Sequence, residues 1–169
     1  MARSAPRFVL GLALVAMTSG CSETLDAGMN RGNGLLPVGA HNPLVLINDW
    51  ALDNWFGEYA VLLANAGGPP LAGIIVNATP TWPDIQKNVT GWRDFVAAAR
   101  ASGLQNVPDP QASVAAPLVM PASGNIDDTH PNRSEGALLI VNQSRTLSLP
   151  SRPMVVASGD GLTDVADAY

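Results

Sequence analysis

Asn48, Asp49, Asp53 and Asn54 fall within seven residues, between the apolar run PLVLI (43–47) and a second apolar stretch beginning at Trp55. Carboxylates placed beside a core lose hydration, so such a cluster needs a compensating partner. The usual partners are a helix N-terminus, a metal ion or a ligand. Two further polar groups follow later apolar runs: Asn77 and Thr79 after LAGIIV, and Asp160, Thr163 and Asp164 after MVVAS. Helix capping accounts for one polar residue per helix, with Asp53 or Asn54 serving the helix at 55 and Asp160 or Thr163 the last one. It leaves Asp49 and Asp53 on one loop unexplained, and that pair is the candidate site.

The elements that must carry these residues alternate along the chain. PLVLI (43–47), LAGIIV (71–76) and MVVAS (154–158) are continuous apolar runs of the length and type expected for strands buried on both faces. Residues 54–66 place Trp55, Tyr59, Leu62 and Leu63 at helical spacing for burial, and Gly67-Gly68-Pro69-Pro70 stops that helix. Residues 83–101 form a second helix with Ile85, Val89, Trp92, Phe95 and Val96 along one side. A third spans 132–145 with Leu138, Leu139 and Val141 inward, and another opens in GDGLTDVADAY. Residues 105–129 are rich in Pro, Ala and Ser and carry no assignment. The order predicts an α/β domain with a mostly parallel open sheet and flanking helices. Ligands of such sheets bind beyond the carboxyl ends of the strands, and all three polar groups land on that rim.

Three segments resemble the inosine–uridine-type nucleoside hydrolases. LVLINDWALDNW resembles the family's opening strand and its D-x-D-x-G-x-D-D loop, LAGIIVN its second strand, and MVVASGDGLTDVADA its later strand–Gly-x-Leu-Thr-Asn–helix segment. The resemblance runs over residues 43–169 in order and approximate spacing, and implies a Rossmann-like sheet. It makes Asp49 a calcium ligand and the general base toward the attacking water. Asp53 becomes a ribose contact, Asn54 a calcium ligand, and Thr163 a ligand through its backbone carbonyl. Asn77, about two residues out of the family's register, joins the substrate contacts, as does Trp50, whose ring could stack on a base. Trp55 is assigned to core packing. Calcium suits such hard oxygen donors, and negative charge stabilises the oxocarbenium-like state of the sugar. The family's first aspartate is Ile47 here, its glycine is Ala51 and one metal-binding aspartate is Asn54, so calcium affinity should fall. The chain resembles only the N-terminal half of the family's domain, without its later aspartate and histidine. Little or no nucleoside hydrolysis by this chain alone is therefore expected, and pairing with another chain, as in a homo-oligomer, would cover an open sheet.

Residues 1–21, MARSAPRFVLGLALVAMTSGC, have Arg3 and Arg7 before ten apolar positions (8–17) and small residues leading to Cys21. Ten are too few to span a bilayer, so the segment reads as an export signal. Cys21, the only cysteine, stands where a bacterial lipoprotein signal places its lipidated residue, although Thr18 replaces the usual leucine-like residue. An ordinary signal peptide with a periplasmic or secreted product is the alternative. Residues 1–20 are thus signal, 21–42 a lipid-anchored linker, and 43–169 the domain. Loss of two arginines and no acid moves the formal charge from −5 to −7, which excludes an electrostatic footprint for nucleic acid.

Weaker motifs have plainer readings. Ser158-Gly159-Asp160-Gly161 lacks the third glycine of a dinucleotide loop and any Gly-Lys-Ser/Thr. Asp127, Asp128 and His130 read as a solvated turn, and His41 lies in the linker. The bacterial-type signal argues against glycosylation at the Asn-x-Ser/Thr sequons. Two functions remain: a calcium-dependent hydrolase of ribonucleosides in the cell envelope, or a non-catalytic lipoprotein with weak ligand binding. For the anchor, a fatty-acid analogue should label the wild-type protein in cells and not Cys21→Ala; equal labelling of both would refute lipidation.

Overall fold

The computed structural model describes residues 38–51, 55–116 and 118–169. Cys21 and the signal, Asp53 and Asn54 lie outside them. Four parallel strands, β1 (Leu44–Asn48), β2 (Leu71–Val76), β3 (Pro110–Ala112) and β4 (Val155–Ser158), form one sheet in the order β3-β2-β1-β4. Helices α1 (Trp55–Asn65), α2 (Ile85–Ala101), α3 (Glu135–Leu147) and α4 (Thr163–Ala168) connect and flank it. This is the expected α/β, Rossmann-like architecture. The strand order reverses between β1 and β4, where β1 is followed in space by a strand over a hundred residues later in the chain.

Alternation along β1 divides the core into two layers. Leu46 joins Ile74 and Val76 against Val61, Val89, Trp92 and Val96 of α1 and α2. Val45 and Ile47 join Ile75 against Ile140 of α3, with Val165 and Ala168 of α4 packed alongside. A strand covered on both faces needs apolar residues at every position, which is why these runs are continuous.

Local chemistry sets the helix ends. Asp84 caps α2 by accepting from Lys87 N–H at 3.0 Å. At its other end the Leu104 N–H returns to the Ala99 carbonyl at 3.1 Å, with Gly103 in the left-handed region at φ +94°. Gly67, at φ +88°, closes α1 in the same way, with Gly68 N–H donating to the Leu63 carbonyl at 2.8 Å. Helix α3 begins three residues later than the sequence pattern suggests. Arg133 sits at φ +56°, which no helix accommodates, and the Ser134 side chain is the cap.

Two helices turn faces to the core that differ from the expected ones. In α1 the inward positions are Gly57 and Val61, whereas Trp55, Tyr59, Leu62 and Leu63 point outward. A Cβ on Gly57 would collide with the indole of Trp92 and stand 3.1 Å from Leu46 Cδ2, so glycine is what lets α1 approach the sheet. In α3 the small residues Gly136 and Ala137 are buried with Ile140, while Leu138 is exposed and Leu139 and Val141 are half-buried. Close approach of backbone to core outweighs side-chain size in both. Strand β3 was not visible in the pattern either. It is only three residues long, and Pro110 at its start needs no ladder N–H on an edge strand.

Gly57→Ala should cost about 1–3 kcal/mol through overpacking, a fall of roughly 4–12 °C in the thermal midpoint. Gly73→Ala should cost less, because its new Cβ would meet the flexible end of Leu139. Calorimetry of the two variants checks the order; equal losses would show that the Trp92 contact is not the constraint.

Candidate functional site

The carboxyl end of β1 lies beside the point where strand order reverses, the place where open α/β sheets bind ligands. Asn48 ends the strand fully buried, and Asp49 follows it, also buried. The Asp49 carboxylate accepts from Ala51 N–H at 2.9 Å and from the Thr79 hydroxyl at 3.1 Å. Its backbone carbonyl accepts from Trp92 Nε1 at 2.7 Å. The position of the carboxylate is therefore set from three elements: its own loop, the loop after β2 and helix α2.

The loop after β2 is equally constrained. Asn77 N–H donates to the Asn48 carbonyl at 3.2 Å, extending the ladder by one bond past the strands. Asn88 of α2 donates through its amide to the carbonyls of Asn77 and Trp82, at 2.9 and 3.1 Å. Thr79 Oγ1 accepts from Trp82 N–H at 3.0 Å while donating to Asp49. Thr79 is thus a site residue that the sequence pattern placed only on the rim.

Trp50 packs partly on the core, and Trp55, expected in the core, does not. Trp50 is half-buried, packed edge-on against Trp92 with ring centroids 5.9 Å apart and lying over Gly91. Trp55 is exposed. The indole of Trp50 therefore packs on the hydrophobic core next to Asp49, and it is Trp55 that faces solvent.

Two side chains at this rim have buried polar atoms without a hydrogen-bond partner: both amide atoms of Asn48 and Oδ1 of Asn77. An unsatisfied buried amide costs about 1–3 kcal/mol, and such groups mark sites of strain, ligand or ordered water. Gly159, after β4, packs directly on the Asn48 amide; a Cβ there would stand 3.2 Å from Nδ2.

A second polar cluster sits where α4 meets α3. Asp164, fully buried, accepts from the hydroxyls of Ser113 and Ser134 at 2.7 and 2.8 Å, and its other oxygen has no hydrogen-bond partner. Asp167 accepts from the N–H groups of Asn132, Arg133 and Ser134 and from the Ser134 hydroxyl, at 2.5–3.2 Å. The single hydroxyl hydrogen of Ser134 thus stands between two carboxylates, at the N-terminus of α3 where negative charge is favoured. Gly136 leaves the room: a Cβ there would lie 2.5 Å from Asp164 Cγ. Ser113, Ser134 and Asp167 were not among the expected site residues. The only sequence signal was the i, i+3 spacing of Asp164 and Asp167, which sets both on one face of a helix.

Thr163 opens α4, half-buried, and Leu162 rather than Asp160 or Thr163 occupies the cap position, with no side-chain hydrogen bond. Asp127 and Asp128 lie in an exposed 3-10 turn, and His130 and His41 are exposed. Among the described residues no three His, Cys, Asp or Glu side chains are grouped closely enough to hold a metal ion. Among the described residues, a cavity of about 770 Å³ is lined mainly by apolar residues of the 118–131 loop and by α4, and contains none of the rim residues. The chain matches no family model, no curated protein and no solved structure. The nucleoside hydrolase resemblance rests on the three sequence segments.

Burial pushes the Asp167 carboxyl up, but the hydrogen bonds from Ser134, Arg133 and Asn132 outweigh it and hold it below the ordinary 3.8. A carboxyl depressed in the folded state contributes stability above its unfolded value, which is lost as pH falls through the folded one. Asp167→Asn should therefore lower the thermal midpoint at pH 7 and flatten its fall as the pH drops below about 4. An acid limb unchanged in the variant would remove Asp167 as its source.

Proposed function

We propose that the rim at the carboxyl ends of β1 and β2 binds a ribonucleoside or similar small molecule, and that its chemistry is hydrolysis of the N-glycosidic bond. The observation that supports this reading is the buried Asp49 carboxylate. It is oriented by one N–H and one hydroxyl, on the same rim as the buried, unpartnered amide of Asn48 and the unpartnered Oδ1 of Asn77. Each Asp49 oxygen accepts one hydrogen bond from the protein and keeps a lone pair for a further partner.

The donors at this rim are all oxygen, which fits calcium. Asp49, with Asn54 and the Thr163 carbonyl, would hold the ion, and calcium when bound acidifies a coordinated water. Asp49 would take the proton of the attacking water on a carboxylate oxygen, and Thr79 keeps that carboxylate in place. Asp53 and Asn77 contact the sugar in this reading. Trp50 reaches a base only from the edge it does not bury against Trp92. The protein acts in the cell envelope, held there by a lipid on Cys21.

A second reading, ligand binding without turnover, is favoured by the sparse charge of the site: Asp49 is the one carboxylate among the described residues at the ends of β1 and β2. Titration of inosine and uridine with and without millimolar calcium, followed by assay for free base, separates the two. We expect calcium-dependent binding weakened at least tenfold by Asp49→Ala, with base release slow or absent. Release abolished by Asp49→Ala would establish the hydrolase, and binding without release the second reading. Absence of binding both with and without calcium would overturn both.

A further inference from the structure

The chain between Ala116 and Asn132 closes on itself as a compact surface loop. Asn132 Nδ2 donates to the Ala116 carbonyl at 2.7 Å where the ends meet, and Gly124 N–H donates to the Pro121 carbonyl at 2.9 Å. The Asn125 side chain caps the 3-10 turn at Ile126–Asp128. Loops of this kind are ordinarily packed by their own side chains. Here Val119, Met120 and Ile126 are instead 81, 77 and 70% exposed, and all three line the cavity of about 770 Å³ that the loop forms with α4. Large apolar side chains gathered in the open around a hollow mark a binding surface, and the volume lies in the range of small-molecule sites.

The ionisable groups on the lining select the charge of the occupant. Among the described residues the lining holds two carboxylates, Asp127 and Asp167, and no lysine, arginine or histidine. Asp167 keeps its charge through the N–H groups of Asn132, Arg133 and Ser134. The Asp127 carboxylate makes no hydrogen bond or ion pair, whereas that of Asp128 accepts from the Ser123 hydroxyl at 2.6 Å. His130 and Asp128 border a smaller hollow, of about 460 Å³, that shares Val119, Met120 and Pro121 with the first. An anion in the larger cavity would meet two like charges. A neutral molecule would strip water from Asp127 without pairing it. A cation meets neither penalty, and the ring of Tyr169 on the same lining is a further partner for it.

We infer that this cavity binds a small organic cation, an amine or quaternary ammonium group carried on an aryl or alkyl body. The body lies against Val119, Met120 and Ile126, and the cationic group pairs with Asp127. The site is separate from the rim, since its lining includes none of the residues at the ends of β1 and β2.

Three probes of one shape test this on the full chain: phenylbutylamine, which is cationic at pH 7, phenylbutanol and phenylbutyrate. Titration followed by amide NMR shifts should give the amine a dissociation constant at or below about 1 mM, with the shifts at Val119, Met120, Ile126 and Ala166. The amine should bind about fivefold tighter than the alcohol, and the acid not at all. Asp127→Asn, at an exposed side chain without partners, should bring the amine to the alcohol's affinity and leave the alcohol unchanged. Met120→Ser should weaken both by roughly threefold or more. Excess uridine should displace neither. Failure of the amine to saturate, equal affinity for amine and alcohol in wild type, or a preference for the acid would each overturn the inference. So would indifference of the amine to Asp127→Asn, of both probes to Met120→Ser, shifts confined to other residues, or displacement by uridine.

Discussion

The buried indole of Trp92 ties the candidate site to the core. Its ring packs edge-on with Trp50 and Phe95, the rim of its six-membered ring closes on Gly57 of α1, and its N–H holds the Asp49 carbonyl. An indole is large enough to reach from α2 to both α1 and the end of β1, and its single donor must be satisfied once buried. One residue thereby sets how closely α1 approaches the sheet, where the loop after β1 starts and how the Asp49 carboxylate is presented. Gly57 and Gly91 follow from the same constraint, because each gives space to an indole that a Cβ would fill.

The two helical layers solve different problems. On the α1–α2 side an apolar wedge positions polar groups at the strand ends. On the α3–α4 side a polar clamp positions a short helix: Asp164 and Asp167 tie α4 to the loop after β3 and to the cap of α3 through Ser113 and Ser134. Six residues of helix cannot hold themselves in place by propensity. The clamp and the packing of Val165 and Ala168 do it instead, and with them fix Thr163, the residue that the hydrolase reading gives to the metal. In that reading the site and the clamp are coupled through α4 even though they share no side chain.

The same division explains the outer face of α1. With Gly57 and Val61 committed inward by the Trp92 contact, the larger apolar residues have only the outside left. The face is a consequence of the core's geometry.

The sequence by itself determined the buried strands, because residues covered on both faces must be apolar without interruption, and it determined the helix stops, because glycine and proline act locally on backbone geometry. It also placed Asn48, Asp49 and Asn77 on the rim, since strand ends in a parallel sheet share one edge. Tertiary structure decided which way each helix faces. Periodicity ranks Trp55, Tyr59 and Leu62 as an inward stripe, but close packing against an indole selects the side that carries glycine. It alone made a strand of Pro110–Ala112, through pairing with β2. It alone brought Ser113, Ser134, Asp164 and Asp167 together, since these contacts bridge 30 to 51 residues of chain and depend on how layers stack, which no local pattern encodes.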